Sequence, residues 1–204
     1  MTPPSLFPPT DSELLRRMRD GDSAAFDALY RRHQGPLFRF CLMRSNGAGT
    51  AADVVQETFM GLLTGSLKFD PLRGSLANFL FGVARLLVMK QERGNGPAAA
   101  TWHQAGDDGD DGDDAEHDER SGDTPTPLQR LLIDEQAEQV RRALAGLPPH
   151  YRDVLILYEL HERSYLDIAT ICQLDIGTVR SRLSRGRAAL ATRLQAWREP
   201  LGFV

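Results

Sequence analysis

Residues 164–198 read SYLDIATICQLDIGTVRSRLSRGRAALATRLQAWR, and this stretch decides the fold. Ser164 followed three residues later by Asp167 is a capping-box pattern, which opens a short helix with Ile168, Ala169, Ile171 and Cys172 facing inward. Gln173, Leu174 and Asp175 form a tight turn, and Asp175 can cap the helix that follows. That helix carries the stripe Ile176, Val179, Leu183, Leu190 and Leu194. A short helix, a three-residue turn and a second helix is the pattern of a helix-turn-helix. From Ile176 to Arg198 there is no acidic residue, whereas Arg180, Arg182, Arg185, Arg187, Arg193 and Arg198 are all basic. At about 100° per residue, Thr178, Ser181 and Arg185 point directly away from the stripe. Ser184 and Arg182 flank them, and Arg180 lies nearer the buried side and must reach outward along its stem. Arginine suits guanine edges and phosphates, serine and threonine suit phosphates and bases, and Gly177 permits close backbone approach. A solvated basic face on an ordinary helix shares this periodicity, so the pattern alone leaves both readings open.

Upstream of the quoted stretch, Leu128, Leu131, Leu132, Val140, Leu144 and Leu147 form a long helical stripe that ends before Pro148-Pro149. A short apolar helix follows around Val154–Leu160. In the first half of the chain, Ala52, Val55, Phe59 and Leu62 recur at steps of three and four. After Gly74 a further stripe contains Leu76, Phe79, Leu80, Val83, Ala84 and Leu87. Strand-like alternation is absent, so the expected fold is all-α. It should consist of two small helical domains, 11–94 and 128–199, behind a disordered N-terminal tail, 1–10, and joined by a disordered acidic linker, 95–127. The linker is built from Gly, Asp, Ala, Thr and Pro with Trp102 as its one large apolar residue, too little apolar surface to offset the entropy of ordering it. Its aspartates, 107–114, fit no register of a calcium loop.

The net charge of −4 over 204 residues conceals a division. Residues 1–94 hold 12 Lys+Arg against 9 Asp+Glu, residues 95–127 hold 1 against 10, and residues 128–204 hold 11 against 9. Two mildly basic blocks therefore flank a segment of net charge −9, and an acidic chain is compatible with nucleic-acid binding by its flanks. Cys41 and Cys172 are distant, with no Cys or His at ligand spacing, which argues against a disulfide framework or zinc site and suits a reducing, cytoplasmic compartment. Signal-peptide character and a membrane-spanning run are both lacking. No metal site, cofactor site or small-molecule substrate is expected. The five histidines are scattered, and no paired carboxylates, Cys/His pair or phosphate-binding glycine loop appears, so the chain does not read as an enzyme.

The run LAGLPPHYRDVLILYELHERSYLDIATICQLDIGTVRSRLSRGRAAL, residues 144–190, resembles region 4 of the extracytoplasmic-function sigma factors of the sigma-70 superfamily. DVVQETFMGLL, residues 53–63, resembles region 2.2, and FDPLRGSLANFLFGVAR, residues 69–85, resembles regions 2.3 and 2.4. The likeness covers about 160 of the 204 residues in the family's order, without a region 1.1 or a region 3 domain. It implies a specificity subunit that binds core RNA polymerase and directs transcription initiation. Region 2 would melt and read the −10 element, region 4 would read double-stranded DNA at the −35 element, and an anti-sigma factor would be a further partner. The implied −35 contacts are Gly177, Thr178, Arg180, Ser181, Arg182, Ser184 and Arg185. Asp53, Gln56, Glu57 and Met60, at helical spacing opposite the Val55/Phe59/Leu62 stripe, are the implied polymerase face.

On the helix from Ser75, an apolar stripe centred on Leu76, Phe79, Val83 and Leu87 leaves Asn78, Phe81, Arg85 and Val88 projecting the other way. An outward Phe81 beside Arg85 could stack an unpaired base, with Arg73 adding a phosphate contact. Arg73, Asn78, Phe81 and Arg85 are thus the expected −10 set. The alternative for Phe81 and Val88 is packing against a neighbouring helix. Four departures from the family pattern stand out: Phe79 replaces a tryptophan, Leu86 replaces an asparagine, the basic run that normally follows is thinned to Lys90, Glu92 and Arg93, and Gln173 occupies a position where a turn glycine is common. Leu86 keeps open a degenerate sigma-like protein, or another helix-turn-helix regulator, that does not melt promoters. The acidic linker would either enter the polymerase's RNA path or serve as a spacer.

Overall fold

The computed structural model describes residues 8–45, 47–94 and 127–198; the N-terminal tail up to Phe7 and the acidic linker, 95–126, lie outside the described residues. The described chain is helical, with no strand among these residues. Helices α1 (Asp11–Arg19), α2 (Ser23–Arg44), α3 (Ala48–Leu63) and α4 (Leu76–Gly94) form one unit. Helices α5 (Pro127–Ala145), α6 (Pro149–Leu155), α7 (Tyr165–Cys172) and α8 (Ile176–Arg198) form the other. Among the described residues, no helix is long and apolar enough to cross a membrane.

Local chemistry sets the helix starts. The Thr10 side chain accepts from the Glu13 N–H at 3.3 Å, and the Asp22 carboxylate accepts from the Ala25 N–H at 3.2 Å, each satisfying a donor the helix itself cannot. Asp22 also accepts from Arg17 Nε and Nη2 at 2.9 and 2.7 Å, which ties the first turn of α2 to the end of α1. Ser75 accepts from the Asn78 N–H at 3.2 Å at the head of α4. Pro149 occupies the first turn of α6, where its missing N–H costs nothing. Past Leu155 the backbone widens into a π-helical turn, Ile156–Leu160, before the chain bends into α7.

The core of the first unit contains Leu14, Leu29, Leu37, Phe40, Val54, Leu62 and Leu80; that of the second contains Leu147, Val154, Leu155, Ile168, Val179 and Leu183. Where side chains are described the expected stripes are mostly recovered, but Ala52 and Val140 are exposed, and the side chains of Leu128, Leu131 and Leu132 lie outside the described ones. The larger correction concerns α4. Phe81 and Val88 do not project into solvent: they are 2 % and 0 % exposed. The expected stripe residues Phe79, Val83 and Leu87 are only half-buried. A single-stripe reading assumes one packed side. Here α4 has two, because α2 and α3 cover one side and the second unit, through α7, covers another.

The two cores meet at an aromatic contact. The Phe40 ring of α2 and the Phe81 ring of α4 lie edge to face at 5.4 Å, and the imidazole of His161 stands 5.0 Å from Phe81 and 6.2 Å from Phe40. The Arg163 guanidinium lies 4.9 Å over the Phe81 ring. Burial, then the nearby charges of Arg163 and Arg39, push the His161 pKa down to about 4. The unfolded chain, with His161 near 6.5, therefore binds the proton first on acidification. This contribution to stability is complete above pH about 6.5 and is lost as the pH falls towards 4. Thermal unfolding should show a lower midpoint at pH 5 than at pH 7, and His161→Gln should flatten that dependence.

Candidate nucleic-acid interface

The capping box opens α7 as expected. The Ser164 hydroxyl accepts from the Asp167 N–H at 3.1 Å, and Asp167 Oδ2 accepts from the Ser164 N–H at 3.3 Å and its hydroxyl at 2.7 Å. The Ser164 hydroxyl, with help from the Asn78 amide, holds the Asp167 carboxyl below its usual range. Helix α7 ends at Gln173, whose φ of +55° places it in the left-handed region. A glycine would take this conformation at lower cost. The Leu174 N–H donating to the Ala169 carbonyl at 2.9 Å closes the turn.

The turn leads into α8, which starts against Asp175: its carbonyl accepts from the Val179 N–H at 3.0 Å, and its carboxylate accepts from the Thr178 hydroxyl at 3.4 Å. Val179 and Leu183 are buried beneath the helix. Gly177, Arg180, Ser181, Ser184 and Arg185 are exposed on the opposite side, with Thr178 and Arg182 half-buried at its edges. All seven expected residues thus lie on the first three turns of one helix. Arg180 is more exposed than its position near the stripe suggested, and its guanidinium lies 5.9 Å from the centroid of the Tyr165 ring.

Arg187 has a different role. Its Nε donates to Glu159 at 2.7 Å, and its guanidinium lies 5.0 Å over Tyr158. It therefore braces α8 against the π-helical turn. Gly186 permits the same close approach: a Cβ there would stand 3.1 Å from Leu155 Cδ1 and 3.3 Å from Tyr151 Cβ.

The expected polymerase face on α3 is solvent-accessible. Asp53, Gln56, Glu57 and Met60 are all exposed. Beside them runs an apolar groove between α2 and α3, lined by Phe26, Tyr30, Phe38, Val55 and Phe59, with Gln56 and Met60 on its rim. The groove's aromatics form a cluster, Tyr30 and Phe59 meeting edge to face at 4.8 Å. The sequence reading singled out the polar face but missed this groove, because half its wall comes from α2, whose outward residues show no simple stripe.

The four residues of the expected −10 set do not stay together. Arg73 follows Pro71 and Leu72 in a short 3₁₀ turn and is exposed. With Asn78 and Arg85 it lines a cavity of about 400 Å³ between α4 and α7, which Phe79, Leu86 and Gln173 also line. Phe81 does not line it, being buried in the junction instead. Two aromatics line it, Phe69 and the half-buried Phe79, with ring centroids 5.4 Å apart. Leu86, 53 % exposed, contributes only an apolar surface. Asn78 and Arg85 are engaged: the Asn78 amide donates to Asp167 at 2.5 Å, and Arg85 Nε donates to Asp153 at 2.6 Å.

Two family models match the chain, sigma-70 region 2 over residues 29–96 and sigma-70 region 4 over residues 137–190. The RNA polymerase sigma-H factor of Pseudomonas aeruginosa is 31 % identical over 187 residues, which cover 91 % of this chain and 94 % of that protein. An ECF RNA polymerase sigma-E factor of Escherichia coli is 31 % identical over 189 residues, covering 91 % and 95 %. Among solved structures, CnrH in complex with the cytosolic domain of CnrY superposes with a TM-score of 0.64 at 22 % identity, covering 91 % of this chain and 97 % of that one, a likeness of fold. The sigma factor RpoE of Bartonella quintana, solved with the anti-sigma factor NepR, superposes at 0.58 with 25 % identity, covering 83 % and 96 %.

Gly186→Val should force α8 away from α6 and cost about 1–3 kcal/mol in a denaturant titration, through overpacking against Leu155 and Tyr151.

Proposed function

The chain belongs to the extracytoplasmic-function sigma factors of the sigma-70 family and directs RNA polymerase to promoters; from that premise we propose how its surfaces divide the work. Helix α8 enters the major groove of the −35 element. Arg180, Ser181, Ser184 and Arg185 meet base edges, whereas Gly177, Thr178 and Arg182 approach the phosphate backbone. The observation that carries this assignment is the exposure of this acid-free face in front of the braced, buried side of the same helix.

Core polymerase docks on α3. The carboxylates of Asp53 and Glu57 offer charge complementarity to a basic partner, and the neighbouring aromatic groove offers apolar area. The −10 element is read at the α4 cavity, where Arg73 holds the backbone, Phe79 offers a ring for stacking and Asn78 and Arg85 supply polar contacts. Phe81 passes from a contact residue to a packing residue. Because Leu86 cannot hydrogen-bond, preference at the base it meets is loose, on the scale of about 1–3 kcal/mol that an apolar pocket supplies. An anti-sigma factor, as found with the Bartonella relative, would compete for these surfaces.

A sigma-like protein that docks but does not melt is the second reading, and Leu86 favours it. In vitro transcription with core polymerase on a promoter library separates the two: run-off transcripts support melting, and docking without transcripts supports the second reading.

Arg185→Ala should cost about 1–3 kcal/mol at the cognate −35 element and relax specificity at one or two base pairs, as measured by competition binding. Replacing Asp53, Gln56 and Glu57 together by alanine should leave helicity unchanged, because all three are exposed, and should abolish co-purification with core polymerase.

A further inference from the structure

Three of the four departures from the family pattern meet in space. Phe79 and Leu86 on α4 and Gln173 at the end of α7 line the same cavity of about 400 Å³. That volume lies within the roughly 300–1,000 Å³ of small-molecule sites. Each departure changes the cavity wall. A phenylalanine leaves more room than a tryptophan, and Leu86 gives an apolar surface where an asparagine would be polar. Gln173 adopts a φ of +55°, which favours a glycine, yet the side chain that a glycine would lack lines the cavity.

The polar groups of the cavity do not satisfy one another. Asn78 is 8 % exposed, and its Nδ2 donates to Asp167 Oδ1 on α7. An ionised carboxylate can only accept, so this bond fixes which end of the amide is the oxygen. Asn78 Oδ1 is then left buried, with no donor among the described residues. Buried acceptors in this state usually have a partner, and a ligand can supply it. Lys68 and Arg73 stand exposed on the lining and enter no ion pair among the described residues. Asp70, the one carboxylate on the described lining, already accepts from the Leu72 N–H at 3.0 Å. Arg85 is engaged by Asp153 through its Nε at 2.6 Å.

We propose that this cavity binds a free nucleotide, with its base on the Phe79 ring and donating an N–H to Asn78 Oδ1, and its phosphate on Lys68 and Arg73. Base stacking and charge-assisted phosphate contacts are the interactions these groups make best. Simpler ligands use only part of the site. Inorganic phosphate leaves the ring and the buried acceptor unused, and an apolar molecule leaves the two cations unused. A DNA strand carries the same chemistry, and the walls tell the two apart. The site shares Arg73, Asn78 and Phe79 with the proposed −10 face, but Thr170, Ile171 and Gln173 of α7 supply its other wall. A nucleotide seated there touches both units at once, whereas the proposed −10 contacts need α4 alone.

Isothermal titration calorimetry on the full chain with AMP, GMP, CMP and UMP tests the site. At least one should bind with one-to-one stoichiometry, and ribose 5-phosphate and inorganic phosphate should bind about tenfold more weakly or worse. Replacing the exposed Lys68 and Arg73 together by alanine should weaken that nucleotide about tenfold or more and leave the matching nucleoside unaffected. Thr170→Trp fills the cavity from an exposed position on α7 and should abolish nucleotide binding while run-off transcription with core polymerase persists. Gln173→Gly removes a cavity wall and relieves the backbone, so it should weaken binding in a chain at least as stable, and it replaces Thr170→Trp if that variant folds poorly. Absence of binding by all four nucleotides at millimolar concentration, equal affinity for ribose 5-phosphate, or undiminished binding to Thr170→Trp would overturn the site. Loss of transcription together with nucleotide binding in Thr170→Trp would overturn it in favour of a strand. Failure of the −10 reading is seen separately, as an absence of promoter melting by the wild type with its nucleotide binding intact.

Discussion

A single carboxylate, that of Asp153, organises the junction on which the arrangement of the chain depends. Removing a charge from water is unfavourable unless it is paired and hydrogen-bonded, and here one buried anion receives two guanidinium groups from two different helices of the other unit. Arg44 is held in turn by Glu92, so α2, α4 and α6 are cross-linked at one point. Burial disfavours the Arg44 charge, but Glu92 and Asp153 outweigh it and raise its pKa. Arg152 adds a second link by donating to the carbonyl of Arg44 at the end of α2 and to that of Leu147 beyond α5. Cations at carbonyl-rich helix ends satisfy acceptors that the helices cannot. Ion pairs of this kind add directionality more than net stability, and the apolar contact of Phe40, Phe81 and His161 beside them supplies the burial.

Around this junction the two units serve recognition in different ways. Helix α8, the proposed reading helix, is braced from behind by Val179 and Leu183 in the core, by the close approach at Gly186 and by Arg187 on Glu159. A rigid support of this kind lets a few exposed side chains hold a fixed geometry before DNA arrives. The α3 surface combines exposed carboxylates with an aromatic groove, a mixture suited to a large partner protein.

The helix-turn-helix was legible in the sequence almost residue by residue, because its determinants are local: a capping box, a short turn and a helix with a single apolar stripe. The exposed polar face of α3 was legible for the same reason. Helix α4 was not. Its residues satisfy two neighbours, one of them about 70 to 90 positions away in sequence, and a helical wheel drawn for one buried side misplaces Phe81 and Val88. Nor does any local signal identify Arg44 as buried or Asp153 as its partner, since their separation of 109 residues spans both units. The aromatic groove shares this limit, being assembled from two helices whose separate patterns reveal little.

Asp167 carries a mechanical consequence. Its two oxygens have separate duties: Oδ2 completes the capping box with Ser164, while Oδ1 receives the Asn78 amide from the neighbouring unit. Pulling the units apart therefore removes one hydrogen bond from Oδ1 and leaves the start of α7 intact. The residue insulates the helix-turn-helix from movements of the surface it touches, so this element can be carried from one neighbour to another as a preformed body, without partial unwinding at its first turn.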